Sequence, residues 1–567
     1  MISIECLLPQ WLRAYPRQHL SADVVAGLVV TILVLPQSLA YALLAGLPPQ
    51  MGLYASILPA LVYAWVGSSM TQAVGPAAIT AMMTYSVLHP LAQAGTPHYL
   101  EMAATLALLS GALVFAFGML RMGFLASLLS RPVISGFISG SAVLIMLNQI
   151  PLLLDVPAAG VSTWAKLASV VSQLQHFNGA ALLLGGLTMV LLLLSRNGLA
   201  PMLIRRGVAA QTAALLVRLV PLLLVLMSTF VVFAWELDAR YQVKVIGKIQ
   251  GGLPEISWGA IELSESGALL IPALLLALIG MAQNIAMAQS LAMKRREKVD
   301  ANRELVGLGL SNVAASVFGG MPVGGGVTRS AVNLAAGAQT PLASIVAGLG
   351  MLAIVWVGPS WLERIPLAVL AGSISVAAIS MVDLTEVRRA WVYDRADAGA
   401  FMGTALGVLV LGLVPGIALG IGLGLLTFLY RASTPHIAVV GRIGHTEHFR
   451  NVDRHGVETL PGVLFLRIDE SMFFGNLLAI ESRLLAEVTK APELHDVVLI
   501  MSAVNRIDLS ALEKLAEIEQ DFRGRGVTLH LAEIKGPLQD RMLATEFWQT
   551  MRGRIHLSAN AAFEMLQ

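Results

Sequence analysis

The sequence predicts an α-helical membrane protein of about fourteen spans, arranged as a seven-plus-seven inverted repeat and followed by a C-terminal α/β domain. Three observations carry this. Only 13% of the residues are charged and 56% are hydrophobic, whereas a soluble domain needs about 25% charged residues to stay solvated. The deficit ends near Arg431, beyond which charge returns to ordinary density. Two apolar segments, one in each half of the chain, are interrupted by glycine and proline at matching positions.

Residues 1–22 contain Trp11, Arg13, Arg17 and His19 and lack an apolar core followed by a cleavage site, so they read as a cytoplasmic segment and not a signal peptide. Residues 23–434 form the membrane domain. Apolar runs long enough to span begin near Val24, Gly52, Ala103, Val133, Ala180, Ala213, Ala268, Val306, Leu342, Leu367, Ala398 and Pro415. The two broken segments follow Gly75-Pro76 and Gly324-Gly325-Gly326. Arginine and lysine concentrate in alternate loops, among them Arg205-Arg206, Lys294-Arg295-Arg296 and Arg388-Arg389. That bias predicts an inner-membrane protein with both termini in the cytoplasm. The long segment from Glu236 to Ser266 then lies outside.

The spans near Val24 and Ala268, and the breaks near Pro76 and Gly326, are each separated by roughly 245 to 250 residues. An odd number of spans per half turns the second half upside down. Interrupted helices expose backbone N–H groups and a partial positive charge at their amino ends. Ala78-Ile79-Thr80 and Val327-Thr328-Arg329 are therefore expected to converge, and Arg329 adds a full charge. Such a cavity favours an anion. The alternative for Arg329 is a structural cation paired within the membrane.

Other classes are disfavoured. A net charge of +2 gives no footprint for nucleic acid, and the lone Cys6 supplies neither a disulfide nor a thiolate metal set. His89, His98, His176, His436, His445, His448 and His455 form no His-Glu-x-x-His pair. No metal, cofactor or enzyme chemistry is expected.

Several motifs resemble the SulP family of sulfate-permease-like anion transporters. They are Val34–Tyr54, which contains Pro36-Gln37-Ser38-Leu39-Ala40-Tyr41, then Ala73-Val-Gly-Pro-Ala-Ala78, then Gly319–Asn333 and the following Ala336–Pro341. The likeness runs from about Asp23 to the C-terminus. It implies a core and a gate domain, elevator-like transport, a homodimer in the lipid bilayer, and a small anion between the half-helices. By motif position it implies that Gln37 and Tyr41 face the anion, with backbone donors from Ala78, Ile79, Thr80, Val327, Thr328 and Arg329. Many relatives carry a carboxylate where Gln283 stands. A glutamine does not titrate, so proton coupling through this position is not expected. Gln283 and Asn284 are left as hydrogen-bond donors to an oxyanion. The substrate class spans sulfate, bicarbonate, chloride and dicarboxylates, and exchange or channel-like conduction is the variant within the family. Nucleobase transporters sharing the fold favour carboxylates at the site, which Arg329 opposes.

Residues 435–567 alternate strands and helices: Val463–Ile468, Asn476–Lys490, Val497–Met501, Leu509–Phe522 and Val527–Leu531. Phe473-Phe474-Gly475-Asn476, Val504–Ser510 and Arg525-Gly526-Val527 resemble a STAS domain. The resemblance implies a regulatory or assembly role, with Ser510 as the candidate regulatory residue; read locally, Ser510 is a helix N-cap.

Overall fold

The computed structural model describes residues 9–567 apart from 14, 129, 161, 250, 251, 253–265, 319, 358–360 and 445. Cys6, Gly319, the start of the expected 1–22 segment and much of the expected outer segment 236–266 lie outside the described residues. Tertiary contacts divide the chain into Met1–Gly424 and Leu425–Gln567. The division falls inside the last apolar helix, shortly before the 434/435 boundary expected from composition.

The first seven spans are α1 (Leu20–Leu44), the pair α2 (Pro49–Tyr54) and α3 (Leu58–Val66), the half-helix α4 (Ala78–Leu88), α5 (Pro97–Met119), α6 (Arg131–Leu154), α7 (Gly179–Leu194) and α8 (Ala210–Trp235). The second seven are α9 (Ser266–Arg295), α10 (Ala301–Val317), the half-helix α11 (Val327–Ala335), α12 (Leu342–Val357), α13 (Leu367–Ile379), α14 (Arg395–Leu411) and α15 (Leu413–Ser433). Among the described residues, seven helices are long and apolar enough to cross a bilayer, and three shorter apolar ones accompany them. The remaining spans escape a length criterion because they are broken or short. The run expected to start near Gly52 is one such case. A Cβ on Gly52 would sit 1.8 Å from the Ser38 carbonyl oxygen, so α2 lies directly on the α1 backbone before the chain restarts as α3.

Packing follows the inverted repeat. The first span of each half lies on the fourth span of the other, α1 on α12 and α9 on α5. The second spans repeat the pattern, α3 on α12 and α10 on α5. The fifth pair with the sixth, α6 with α14 and α13 with α7. Spans one to four of both halves thus form a core bundle, and spans five to seven form a gate bundle. Glycines set the closest seams. A Cβ on Gly309 of α10 would stand 2.5 Å from the Phe115 nitrogen of α5, and one on Gly136 of α6 would stand 2.4 Å from the Phe401 oxygen of α14. Small residues at helix contacts allow backbones this close, where dispersion replaces the hydrophobic effect as the attraction. Asp23, fully buried in the first turn of α1, accepts hydrogen bonds from Gln339 N at 2.7 Å and Thr340 N at 3.0 Å. It ties the first span to the loop that follows the second half-helix.

The second unit carries a six-stranded sheet. Its strands are β3 (Ile437–Arg442), β4 (Phe449–Asn451), β5 (Val463–Ile468), β6 (Asp496–Ile500), β7 (Thr528–Ala532) and β8 (Ile555–His556), in the order β4-β3-β5-β6-β7-β8. Strands β5 to β8 are parallel, and β3 is antiparallel to both its neighbours. The parallel strands are largely apolar on both faces, as a sheet covered on both sides requires, with His530 of β7 buried against Asp496 and His556. Leu466, Leu499 and Leu531 face the helices Leu477–Lys490 and Leu509–Gly524. Phe465, Val498 and Ile500 pack in a separate cluster with Phe563 of the last helix.

Candidate anion site at the crossing of two half-helices

The two broken segments meet in a ladder of two residues each. Strand β1 (Val74–Gly75) pairs antiparallel with β2 (Gly324–Gly325), Val74 opposite Gly325 and Gly75 opposite Gly324. Pro76 has no N–H and disfavours helix in the residue before it, which ends the ladder and delays the start of α4 to Ala78. The glycines are required because side chains lie on the backbone. A Cβ on Gly75 would fall 1.9 Å from Arg329 Nη1, and one on Gly325 would fall 2.6 Å from Gln72 Nε2 and 2.7 Å from Asn284 Oδ1.

Each strand of this antiparallel ladder leads into its half-helix, β1 into α4 and β2 into α11. Their N-cap residues are Ala77, in extended backbone, and Gly326, and neither has a side chain that can accept from the first turn. At the start of α10, by contrast, Asp300 accepts from Asn302 N and Arg303 N. In α4 the first helical bond runs from Ala81 N to Ala77 O, and in α11 from Ser330 N to Gly326 O. No acceptor among the described residues serves the N–H groups of Ala78, Ile79 and Thr80, or those of Val327, Thr328 and Arg329. Two sets of open donors with the positive ends of two helix dipoles result.

Arg329 adds a charge at the same place. It is buried, with 6% of its surface exposed. Nη1 donates to Val74 O at 3.2 Å, and Nη2 donates to Ser38 Oγ at 3.3 Å and Ser56 Oγ at 3.2 Å. Those hydroxyls are 2.8 Å apart. All three acceptors are neutral, and among the described residues no carboxylate pairs with the guanidinium. A buried cation without a counter-ion is costly unless an anion arrives to compensate it. The cavity beside it, lined by Ser56, Val74 and Ser344, is about 10 Å³, room for one water at most.

The other expected residues fall into two groups. Tyr41 is buried on α1, close enough to Arg329 to feel its charge. Gln37, Ala78 and Gln283 are partly exposed, and Thr328 is exposed. Thr80 is buried; its hydroxyl donates to Ala77 O at 2.9 Å, and its methyl would meet a Cβ on Gly324 at 3.4 Å. Asn284 is placed differently from Gln283. It has no exposed surface, its Nδ2 donates to Glu304 Oε2 at 3.2 Å, and its Oδ1 accepts from Gln72 Nε2. Its amide is consumed in holding Gln72, the residue two places before β1.

Sequence reading missed what supports these groups. Glu304, fully buried at the start of α10, accepts from Tyr63 Oη at 2.5 Å, Ser68 N at 2.9 Å, Ser68 Oγ at 2.8 Å and Ser69 N at 2.9 Å as well as from Asn284. Ser330 Oγ accepts from Ala73 N at 3.0 Å, and Asn333 Nδ2 donates to Thr71 O at 2.9 Å. The second half-helix thereby clasps the strand that leads into the first. Glu304 did carry one signal, a carboxylate in the first turn of an apolar helix; the serines carried none.

In the second unit the helix expected at Leu509 begins there, but its N-cap is Asp508 and not Ser510. Asp508 Oδ1 accepts from Ala511 N at 2.8 Å, and Oδ2 accepts from Phe474 N at 3.0 Å. A carboxylate two residues ahead takes the capping role because its backbone is extended there, and Ser510 is left exposed in the first turn.

Residues 20–404 match the Sulfate permease family and residues 456–562 the STAS domain. A protein of Mycobacterium tuberculosis described as a probable sulfate transporter is 32% identical over 535 residues, 94% of this chain and 92% of its own. Sulfate transporter 4.1, chloroplastic, of Arabidopsis thaliana is 31% identical over 545 residues, covering 93% of this chain and 78% of its own. The murine Solute Carrier 26 family member A9 anion transporter in its inward-facing state superposes with a TM-score of 0.89 at 22% identity, over 100% of this chain and 94% of that one. The transmembrane domain of a cyanobacterial bicarbonate transporter superposes with a TM-score of 0.61 at 22% identity, over 71% and 98%.

Proposed function

Because this chain belongs to the sulfate permease family, we propose that it is a secondary transporter that holds a small oxyanion, sulfate first, between the amino ends of α4 and α11. Membership makes it a multi-pass membrane transporter and not an enzyme. The observation that carries the proposal is the buried Arg329, unpaired by any described carboxylate, at the crossing of two uncapped helix starts. Open N–H groups bind an oxyanion by direct hydrogen bonds, and the guanidinium supplies long-range attraction in a low-dielectric setting. Gln37, Tyr41, Gln283 and Thr328 complete the proposed lining, and Asn284 positions the crossing through Gln72.

The division into core and gate bundles fits an elevator-like movement of the core, carrying the site past the gate. The protein is taken to be a homodimer in the inner membrane, with both termini cytoplasmic and the STAS domain serving regulation or assembly. With Gln283 in place of a carboxylate, uptake needs no proton through that position. Reconstituted vesicles test this: sulfate uptake without a proton gradient is expected. Uptake strictly dependent on an inward proton gradient contradicts the uncoupled reading, and absence of uptake for every small anion contradicts the carrier itself. Exchange is separated from net uptake by loading the vesicles with sulfate.

A further inference from the structure

Beyond the crossing, the membrane unit holds two larger cavities, of about 670 and 480 Å³, between the far end of α4 and the gate helices. Both are walled by Met82, Tyr85, His89, Asn148 and Lys166. Beyond these the larger is closed by apolar groups such as Leu144, Ala268 and Pro415, and the smaller by Leu367, Leu370 and Ile374. Lys166 comes from the short helix Thr163–Ser172, which packs on α6, while Tyr85 belongs to the half-helix α4. The ammonium donates to the Tyr85 hydroxyl and sits 4.3 Å from the centre of its ring. His89 stacks edge-on against the same ring with centroids 4.8 Å apart.

Lys166 is half-buried, and among the described residues no carboxylate lies within ion-pair distance of it. Among the described residues, neither cavity is lined by an aspartate or a glutamate. An ammonium has three donors, of which the Tyr85 hydroxyl takes one. A partly desolvated cation in a vestibule lined by apolar and neutral polar groups, with donors to spare and no counter-ion among the described residues, attracts small anions electrostatically. We propose that Lys166, with Tyr85 and His89 beside it, forms a second anion-binding site, a staging site in the vestibule that concentrates the small oxyanion at the end of the half-helix whose other end is the transport site. This rests on the carrier reading for its purpose, though not for the binding itself. Burial also lowers the Lys166 amine to about 8. The charge is present below that pH and lost as pH rises through it. The titratable groups facing it are Tyr85 of α4 and His89 at its C-cap.

The test measures sulfate uptake and sulfate binding in oriented vesicles, with pH varied between 7 and 9 on the Lys166 face alone. The wild type should show its KM rise about fivefold over this range, with Vmax little changed. Lys166→Gln should have the higher KM at both values, and Lys166→Arg should keep the lower KM at both. Equal KM values for wild type and Lys166→Gln at pH 7, with uptake intact, overturn the staging site and leave the carrier standing. Absent uptake with pH-dependent, Lys166-dependent binding overturns the carrier and leaves this site standing.

Discussion

The two half-helices occupy equivalent places in the repeat, and their first turns differ in one respect. Ala78-Ile79-Thr80 is neutral, whereas Val327-Thr328-Arg329 ends in a cation at the position where the first turn has Thr80. Both lack a side-chain cap. Repetition therefore supplies two equal dipoles, and divergence supplies the single charge. That charge does not stay with its own repeat. The Arg329 side chain crosses the ladder and is held wholly by the first repeat, through Val74 O, Ser38 and Ser56. Charge and assembly are coupled here: the guanidinium proposed to attract the anion also fastens one half of the molecule to the other.

The strongest way to break this symmetry is to cap one half-helix. Ala77→Asp places a carboxylate in backbone already extended, so it should stabilise the fold by about 1 kcal/mol. The same carboxylate occupies the open donors, and anion affinity, read by equilibrium binding, should fall about a hundredfold. Gains in stability and losses in binding moving together would be hard to explain otherwise. Arg329→Gln removes the asymmetric charge while keeping polar atoms for the serines. Affinity should fall about thirtyfold, in line with losing interactions to a charged group. Unchanged affinity would assign Arg329 to assembly alone.

A third comparison sets support against contact. Glu304→Gln leaves a donor facing the backbone N–H groups of Ser68 and Ser69 and should lower thermal stability by about 2 kcal/mol. Its effect on affinity should be smaller than that of Arg329→Gln, because it acts only through Asn284 and Gln72. Ser38→Ala is the mildest. Ser56 Oγ still accepts from Nη2, so a loss of about 1 kcal/mol in stability is expected, with affinity nearly unchanged.

What the sequence disclosed follows from the range of each signal. The spans, the breaks at Gly75-Pro76 and Gly324–Gly326, and the charge of Arg329 are local, written in short windows of apolar and glycine residues. The matched spacing of the breaks made the repeat legible as well. Ser38, Ser56 and Glu304 were not legible as partners of this crossing, since Ser38 lies 291 residues from Arg329 and Glu304 lies 241 from Tyr63. A serine in an apolar helix looks the same whether it bonds its own turn or a guanidinium. Asn284 shows the related difficulty. It adjoins Gln283, yet a step of one residue on a helix turns it by about 100°, away from the cavity and into the packed face with Glu304. At Ser510 the local cap signal was present but weaker than that of Asp508, two residues earlier.

The central claim is positional, and selenate locates it. As a sulfate analogue with a strong anomalous signal, selenate soaked into crystals of the full chain should give a difference peak at the crossing, within hydrogen-bond reach of the amides of Ala78–Thr80 and Val327–Thr328. The Ala77→Asp protein should lose that peak. Strong density elsewhere, with the crossing empty at saturating selenate, would contradict the account.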